Sequence, residues 1–237
     1  MARNNNLWFE FAGASSTDNK VKLLALPARP RATLRVPDAP VIPGRDGALW
    51  LPEDTYDEIE IPVRAQLLSG ASPVSISAWL TGRGLLRFSD ATARAYRARA
   101  LAAYAYEHID GCAARQIIEM TFACHPCAYH YPAASAVLTS GTPITNPGTR
   151  YAEPKITIVG SGDIDLTIGD QTLTVTGMDT GCAIDMEARV AYQGSVNMGP
   201  QVSGDWPLLI QPGSNAVSWT ATGTITSVTI EPHWRDI

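Results

Sequence analysis

The sequence predicts a mainly β protein with one short helix in its N-terminal half, followed by a unit made wholly of strands. Three observations point there. Glycine and proline are plentiful, at 19 and 17 of 237 residues, which favours strands and turns over long helices. Apolar residues alternate with polar ones over many short runs, the period of a half-buried strand. Charge is split along the chain: residues 1–133 carry 14 Lys and Arg against 13 Asp and Glu, and residues 134–237 carry 4 against 10. The split supports two units, with expected bounds 1–132 and 143–237 and a small, polar junction at 133–142.

In the first unit, residues 7–11 form an apolar run and a first strand, and 13–19 a turn cluster. Residues 21–26 return to apolar character. Pro27, Pro30, Pro37 and Pro40 then punctuate an extended segment; prolines at that density suit an edge strand or arm, not a central strand. The turn Pro43, Gly44, Arg45, Asp46 and Gly47 follows, with a cation and an anion at its tip. Residues 58–67 alternate, placing Ile59, Ile61 and Val63 on one face and Glu58, Glu60 and Arg64 on the other. The helix is expected at 73–80. Ser72 can cap it, Pro73 takes the favoured first position, and Ile76, Trp79 and Leu80 share one face. Residues 85–88 read as a strand. Residues 91–106 conflict: alanine and arginine favour helix, yet from Tyr96 onward a strand also fits, with Arg97, Arg99 and Leu101 on one face. A turn at 109–111 and a returning strand at 115–124 complete a hairpin.

In the second unit, strands are expected at 155–159, 164–168, 173–176, 184–192, 215–220 and 224–230, with a two-residue hairpin turn at Gly169-Asp170. This spacing describes an antiparallel sandwich.

Composition and motifs narrow the function. The net charge of −5 and pI near 5.3 argue against a nucleic-acid binder. The first residues lack the apolar core of a signal peptide, and no run reaches the roughly 18 apolar residues of a membrane span; a soluble chain made in the cytosol is expected, with Cys112, Cys124, Cys127 and Cys182 as free thiols. No G-x-S-x-G elbow, Walker loop or dinucleotide fingerprint occurs. Cys124, Cys127 and His130 have metal-ligand spacing, and Cys112 could supply a further thiolate if the hairpin at 109–114 folds back; a buried strand cysteine with histidines flanking a proline turn is the simpler reading, so no metal is expected. Asp163 and Asp165 share a strand face and read as solvation. Tyr192, Trp206, Trp219 and Trp234 are the aromatics from which a glycan platform could be built.

Six short motifs stand in order in the first unit: F-A-G at Phe11, Ala12 and Gly13; P-G-R-D-G from Pro43 to Gly47; I-E-I-P-V from Ile59 to Val63; W-L-T-G-R-G-L-L-R-F-S-D from Trp79 to Asp90; Y-R-A-R from Tyr96 to Arg99; and F-A-C-H-P from Phe122 to Pro126. In this order they resemble the distal tail proteins of long-tailed, siphovirus-type bacteriophages. The later half is similar more loosely, through Thr145–Gly148, Ile184–Glu187 and Pro212–Asn215. The resemblance implies a ring-forming N-terminal β domain, hexameric, and a galectin-like or carbohydrate-module-like sandwich. It implies a ring between the tail tube and the baseplate hub with its fibres, a place in the virion tail after synthesis in the host cytoplasm, and no catalytic residues or cofactor. It favours strand for the 91–106 segment. Pro43, Gly44, Arg45, Asp46 and Gly47 become a candidate subunit interface. The alternative reading is a carbohydrate-binding adhesion module working through Tyr192, Trp206 and Trp219 on a host-surface glycan; a hydrolase is the weakest reading.

Overall fold

The computed structural model describes residues 7–35, 43–44, 46, 55–101, 105–108 (backbone only) and 116–237. Arg45, Gly47, the 109–111 turn and Cys112 lie outside these. The chain divides into two units, residues 1–128 with Ile237, and residues 129–236.

The first unit contains β1 (Phe9–Phe11), β2 (Ala14–Ser15), β3 (Val21–Leu23), β4 (Ile59–Leu67), α1 (Pro73–Trp79), β5 (Arg83–Phe88), β6 (Arg94–Ala100) and β7 (Ala105–His108), and most of β8 (Gln116–His130). The strands form one antiparallel sheet in the order β2-β1-β5-β6-β8-β4-β3, with β7 also paired to β8. β4 keeps the expected alternation: Ile59, Ile61, Val63, Ala65 and Leu67 are buried and the residues between them are not. The segment of conflicting signals is strand in β6, where Leu85 faces Arg97 and Leu86 faces Tyr96. Helix propensity amounts to tenths of a kcal/mol per residue, and a paired central strand that buries Ala95 and Ala98 outweighs it.

Helix α1 starts as its sequence dictates. Ser75 N–H donates to Ser72 Oγ at 3.4 Å, and Pro73 opens the first turn. Ile76 is buried, and the Trp79 ring stacks on Phe9 at 5.3 Å between centroids. Phe122 sits edge-on to Phe9 and 5.0 Å from Phe11. This aromatic cluster, with Phe88 and Leu86, is the centre of the first core.

The second unit contains β9 (Ala136–Leu138), β10 (Ile144–Asn146), β11 (Lys155–Ile168), β12 (Gln171–Met178), β13 (Gly181–Asp185), β14 (Val190–Gln193), β15 (Val196–Asn197), β16 (Val202–Gly204), β17 (Gly213–Asn215), β18 (Val217–Ala221), β19 (Thr224–Glu231) and β20 (Arg235–Asp236). β11 belongs to both layers of strands. Its first half lies between β13 and β19, its second between β12 and β18. The crossing falls at Val159-Gly160-Ser161-Gly162, where the register shifts against both β19 and β12. Gly160 and Gly162 have φ of +154° and +94°, and a Cβ on Gly160 would lie 2.3 Å from the Thr224 carbonyl oxygen. Only glycine fits such a bend. Ile156, Ile158, Ile164, Leu166 and Ile168 all stay in the core across it.

Several expectations are corrected here. Residues 155–159 and 164–168 are one strand, because the glycines between them bend the chain without ending its pairing. Residues 184–192 are two strands, β13 and β14, joined by a turn in which Arg189 has φ +57°. The stretch 133–142, read as a junction, holds β9, whose Leu138 is buried and whose residues pair with β19; small residues hid a strand. The hairpin at Gly169-Asp170 is as expected, with Ile168 facing Gln171. Among the described residues, no helix is long and apolar enough to cross a membrane.

Candidate interaction surface

The first unit carries a groove of about 650 Å³ on the side of the sheet away from the aromatic core. Pairing builds it. Arg83 faces Arg99 and Leu85 faces Arg97 across β5 and β6, so these four side chains share one face. Ala123 and His125 of β8 and Glu58, just before β4, complete the lining. Arg99 Nη2 lies 3.0 Å from Glu58 Oε2, with both side chains more than half exposed. Arg83 makes no ion pair among the described residues. Leu85 is 37% exposed. Among the described residues, the lining carries the guanidinium groups of Arg83, Arg97 and Arg99 and one carboxylate, Glu58, over a partly apolar floor; Arg97 has a further contact of its own. Beyond it on this face, Arg87 is paired to Glu10 at 3.1 Å and Arg64 to Glu119 at 2.8 Å.

The turn residues Pro43, Gly44 and Asp46 are exposed. The candidate aromatics are distributed over different faces. Tyr192 faces Ala183, whereas its neighbours Ala191 and Ile184 face the core, so Tyr192 lies on the outer side of its strands. Trp219 faces the buried Leu166 and points inward. Trp206, Trp219 and Trp234 are half-buried against the second core.

Cys124 and Cys127 are buried free thiols, as is Cys182. The odd spacing of Cys124 and Cys127 on one strand sends their side chains to opposite faces. Cys124 Sγ donates to the Phe122 carbonyl at 3.7 Å, and burial pushes its thiol up to about 12. His130 Nε2 is 3.1 Å from Asp236 Oδ2. Among the described residues, no three His, Cys, Asp or Glu side chains gather where they could hold a metal. Asp163 accepts from Gly177 N–H at 2.9 Å and Thr222 Oγ1 at 3.2 Å, and Asp165 from Thr174 Oγ1 at 2.6 Å. These carboxylates hold their own sheet at the β11 bend.

Alternation alone puts Arg97 and Arg99 on one strand face, but Arg83 precedes the strand expected at 85–88, and nothing local in the sequence pairs it with Arg99.

The architecture defines a class: an antiparallel β protein of two units, a helix-bearing sheet followed by a sandwich in which one bent strand serves both layers. No protein-family model matches the sequence, and no curated protein matches it. Among solved structures, the fold is similar to the crystal structure of the Dit (gp 19.1) protein of SPP1, with a TM-score of 0.69 at 17% sequence identity, over 95% of this chain and 97% of that one. That protein is described as a paradigm of the hub adsorption apparatus in phages that infect Gram-positive hosts. At this identity the likeness is one of fold, and it extends through both units.

Proposed function

We propose that this chain is a structural, non-enzymatic component of a phage-type tail tip or baseplate. Copies of it form a ring, hexameric in the present reading, that joins the tail tube to the baseplate hub and its receptor-binding fibres. The observation that carries the proposal is the fold match to a hub protein over nearly the whole of both chains. A match that included only the sandwich would have favoured a lone binding module. The ordered motifs of the first unit support the same reading independently of the fold. The chain is made in the host cytoplasm and then becomes part of the virion tail or a tail-like particle.

Ring closure requires a heterologous contact, one patch of a subunit meeting a different patch of the next. We assign Pro43, Gly44, Arg45, Asp46 and Gly47 to that contact. An ion pair enclosed at a subunit boundary costs about 3–5 kcal/mol when one member is removed, against ~0–1 kcal/mol for an exposed pair. The test is the native mass of the purified full chain across dilution, for wild type and Arg45→Ala. A multiple of the 25.4 kDa chain mass consistent with a ring, weakened in the variant without loss of its thermal melt, supports the reading. A wild type that is monomeric at every concentration defeats the ring; an unaltered oligomer in Arg45→Ala defeats only the turn.

A further inference from the structure

We propose that the arginine-lined groove of the first unit is a docking site for an acidic protein segment, an extended peptide whose carboxylates alternate with apolar side chains. The inference does not rest on the ring: the groove lies within one unit of one chain, and either reading stands without the other.

The first argument is electrostatic. Arg83 and Arg99 are direct cross-strand partners, and like charges in that relation work against the sheet. Folding alone does not explain the arrangement. Glu58 relieves Arg99 but leaves Arg83 without an ion pair among the described residues. A carboxylate seated at Arg83 removes the repulsion, and the flat guanidinium fork is suited to gripping a carboxylate through two parallel hydrogen bonds.

The second argument is the floor. Leu85 remains 37% exposed between the arginines, and Ala123 lines the groove with it. A bare anion leaves that surface wet; an apolar side chain next to the carboxylate covers it. A volume of about 650 Å³ accommodates a few side chains, the size of a short segment and not of a globular surface.

The third argument separates peptide from nucleic acid. Glu58 stands inside the groove, and the whole chain carries a net charge of −5. Both repel a continuous polyanion, whose binding depends on many phosphate contacts. A segment with a few spaced carboxylates can place one at Arg83 and an apolar side chain toward Glu58, an option a continuous polyanion lacks.

The experiment uses the full chain and a fluorescent peptide of alternating glutamate and leucine, read by anisotropy. The same peptide with glutamine for glutamate, a single-stranded oligonucleotide and inorganic phosphate serve as competitors. Saturable binding is expected, weakening as salt rises. Arg83→Gln should lower affinity about tenfold, the effect of losing one charge-assisted contact. Glu58→Gln should raise affinity several-fold, because it frees Arg99 and removes a competing carboxylate. Both positions are exposed, and a circular-dichroism melt verifies that the variants fold. The inference fails if the peptide does not saturate, if the glutamine peptide, phosphate or oligonucleotide competes as well as the acidic peptide, or if folded Arg83→Gln and Glu58→Gln both bind as wild type does.

Discussion

The indole nitrogen of Trp79 donates a 2.9 Å hydrogen bond to the main-chain carbonyl of Phe11. It ties the last turn of the only helix of four or more residues among the described residues to the first strand, 68 residues earlier in the chain. The same ring stacks on Phe9, so one side chain contributes both apolar contact and a polar link to the Phe11 carbonyl.

From this contact, Trp79→Phe should destabilise the first unit by about 1 kcal/mol, the net worth of one hydrogen bond, while stacking is kept. Trp79→Ala should cost about 3 kcal/mol through loss of ring packing. Chemical denaturation of both variants checks the order; equal losses would mean that the hydrogen bond contributes nothing beyond the ring.

Arg235 supports the second unit in a similar way. Its side chain is 6% exposed, its Nε donates to the Tyr151 carbonyl at 2.8 Å, and its Nη1 lies 2.9 Å from Glu153 Oε2. Its guanidinium also sits 4.7 Å from the centre of the Tyr151 ring. Arg235→Ala should cost about 3–5 kcal/mol, because Glu153 is left as a largely buried charge without this partner. The double variant Arg235→Met, Glu153→Leu should recover much of that loss, since two apolar groups need no compensation. A double variant no more stable than the single would show that packing, and not the unpaired carboxylate, sets the penalty.

Cys124 makes stability depend on alkaline pH. Burial raises its thiol from 9.0 to about 12, so the unfolded chain releases this proton first as pH rises. Above pH 9 the unfolded state binds fewer protons than the folded state, and stability falls with pH until about 12. Below 9 the contribution is fully present. Denaturant titrations from pH 8 to 11 should show wild type losing stability faster than Cys124→Ala, by at most about 1.4 kcal/mol per pH unit. Cys182, also raised by burial, acts in the same direction in both proteins and cancels in the comparison, whereas Tyr96 is raised first by burial and also by Cys124, so part of its effect is removed with the thiol and adds to the difference. Parallel slopes would mean that the thiol is hydrated in the folded state.

Much of this protein was determined by its sequence. Alternation fixed the faces of β4, Ser72 and Pro73 started the helix, and Gly169-Asp170 closed a hairpin, because each depends on residues within one turn or one strand. Where signals were local but ambiguous, the tertiary structure decided. Residues 94–100 have the composition of a helix and become a strand, because β5 and β8 offer pairing on both edges and no isolated helix can match that burial. Gly160 and Gly162 read as a break and act as a bend, since strands on either side hold the chain through it. The arginine groove belongs wholly to this second kind. Arg83, Arg99 and Glu58 are far apart in the chain, and only the register of β5 on β6 and the place of β4 in the sheet bring their charges together.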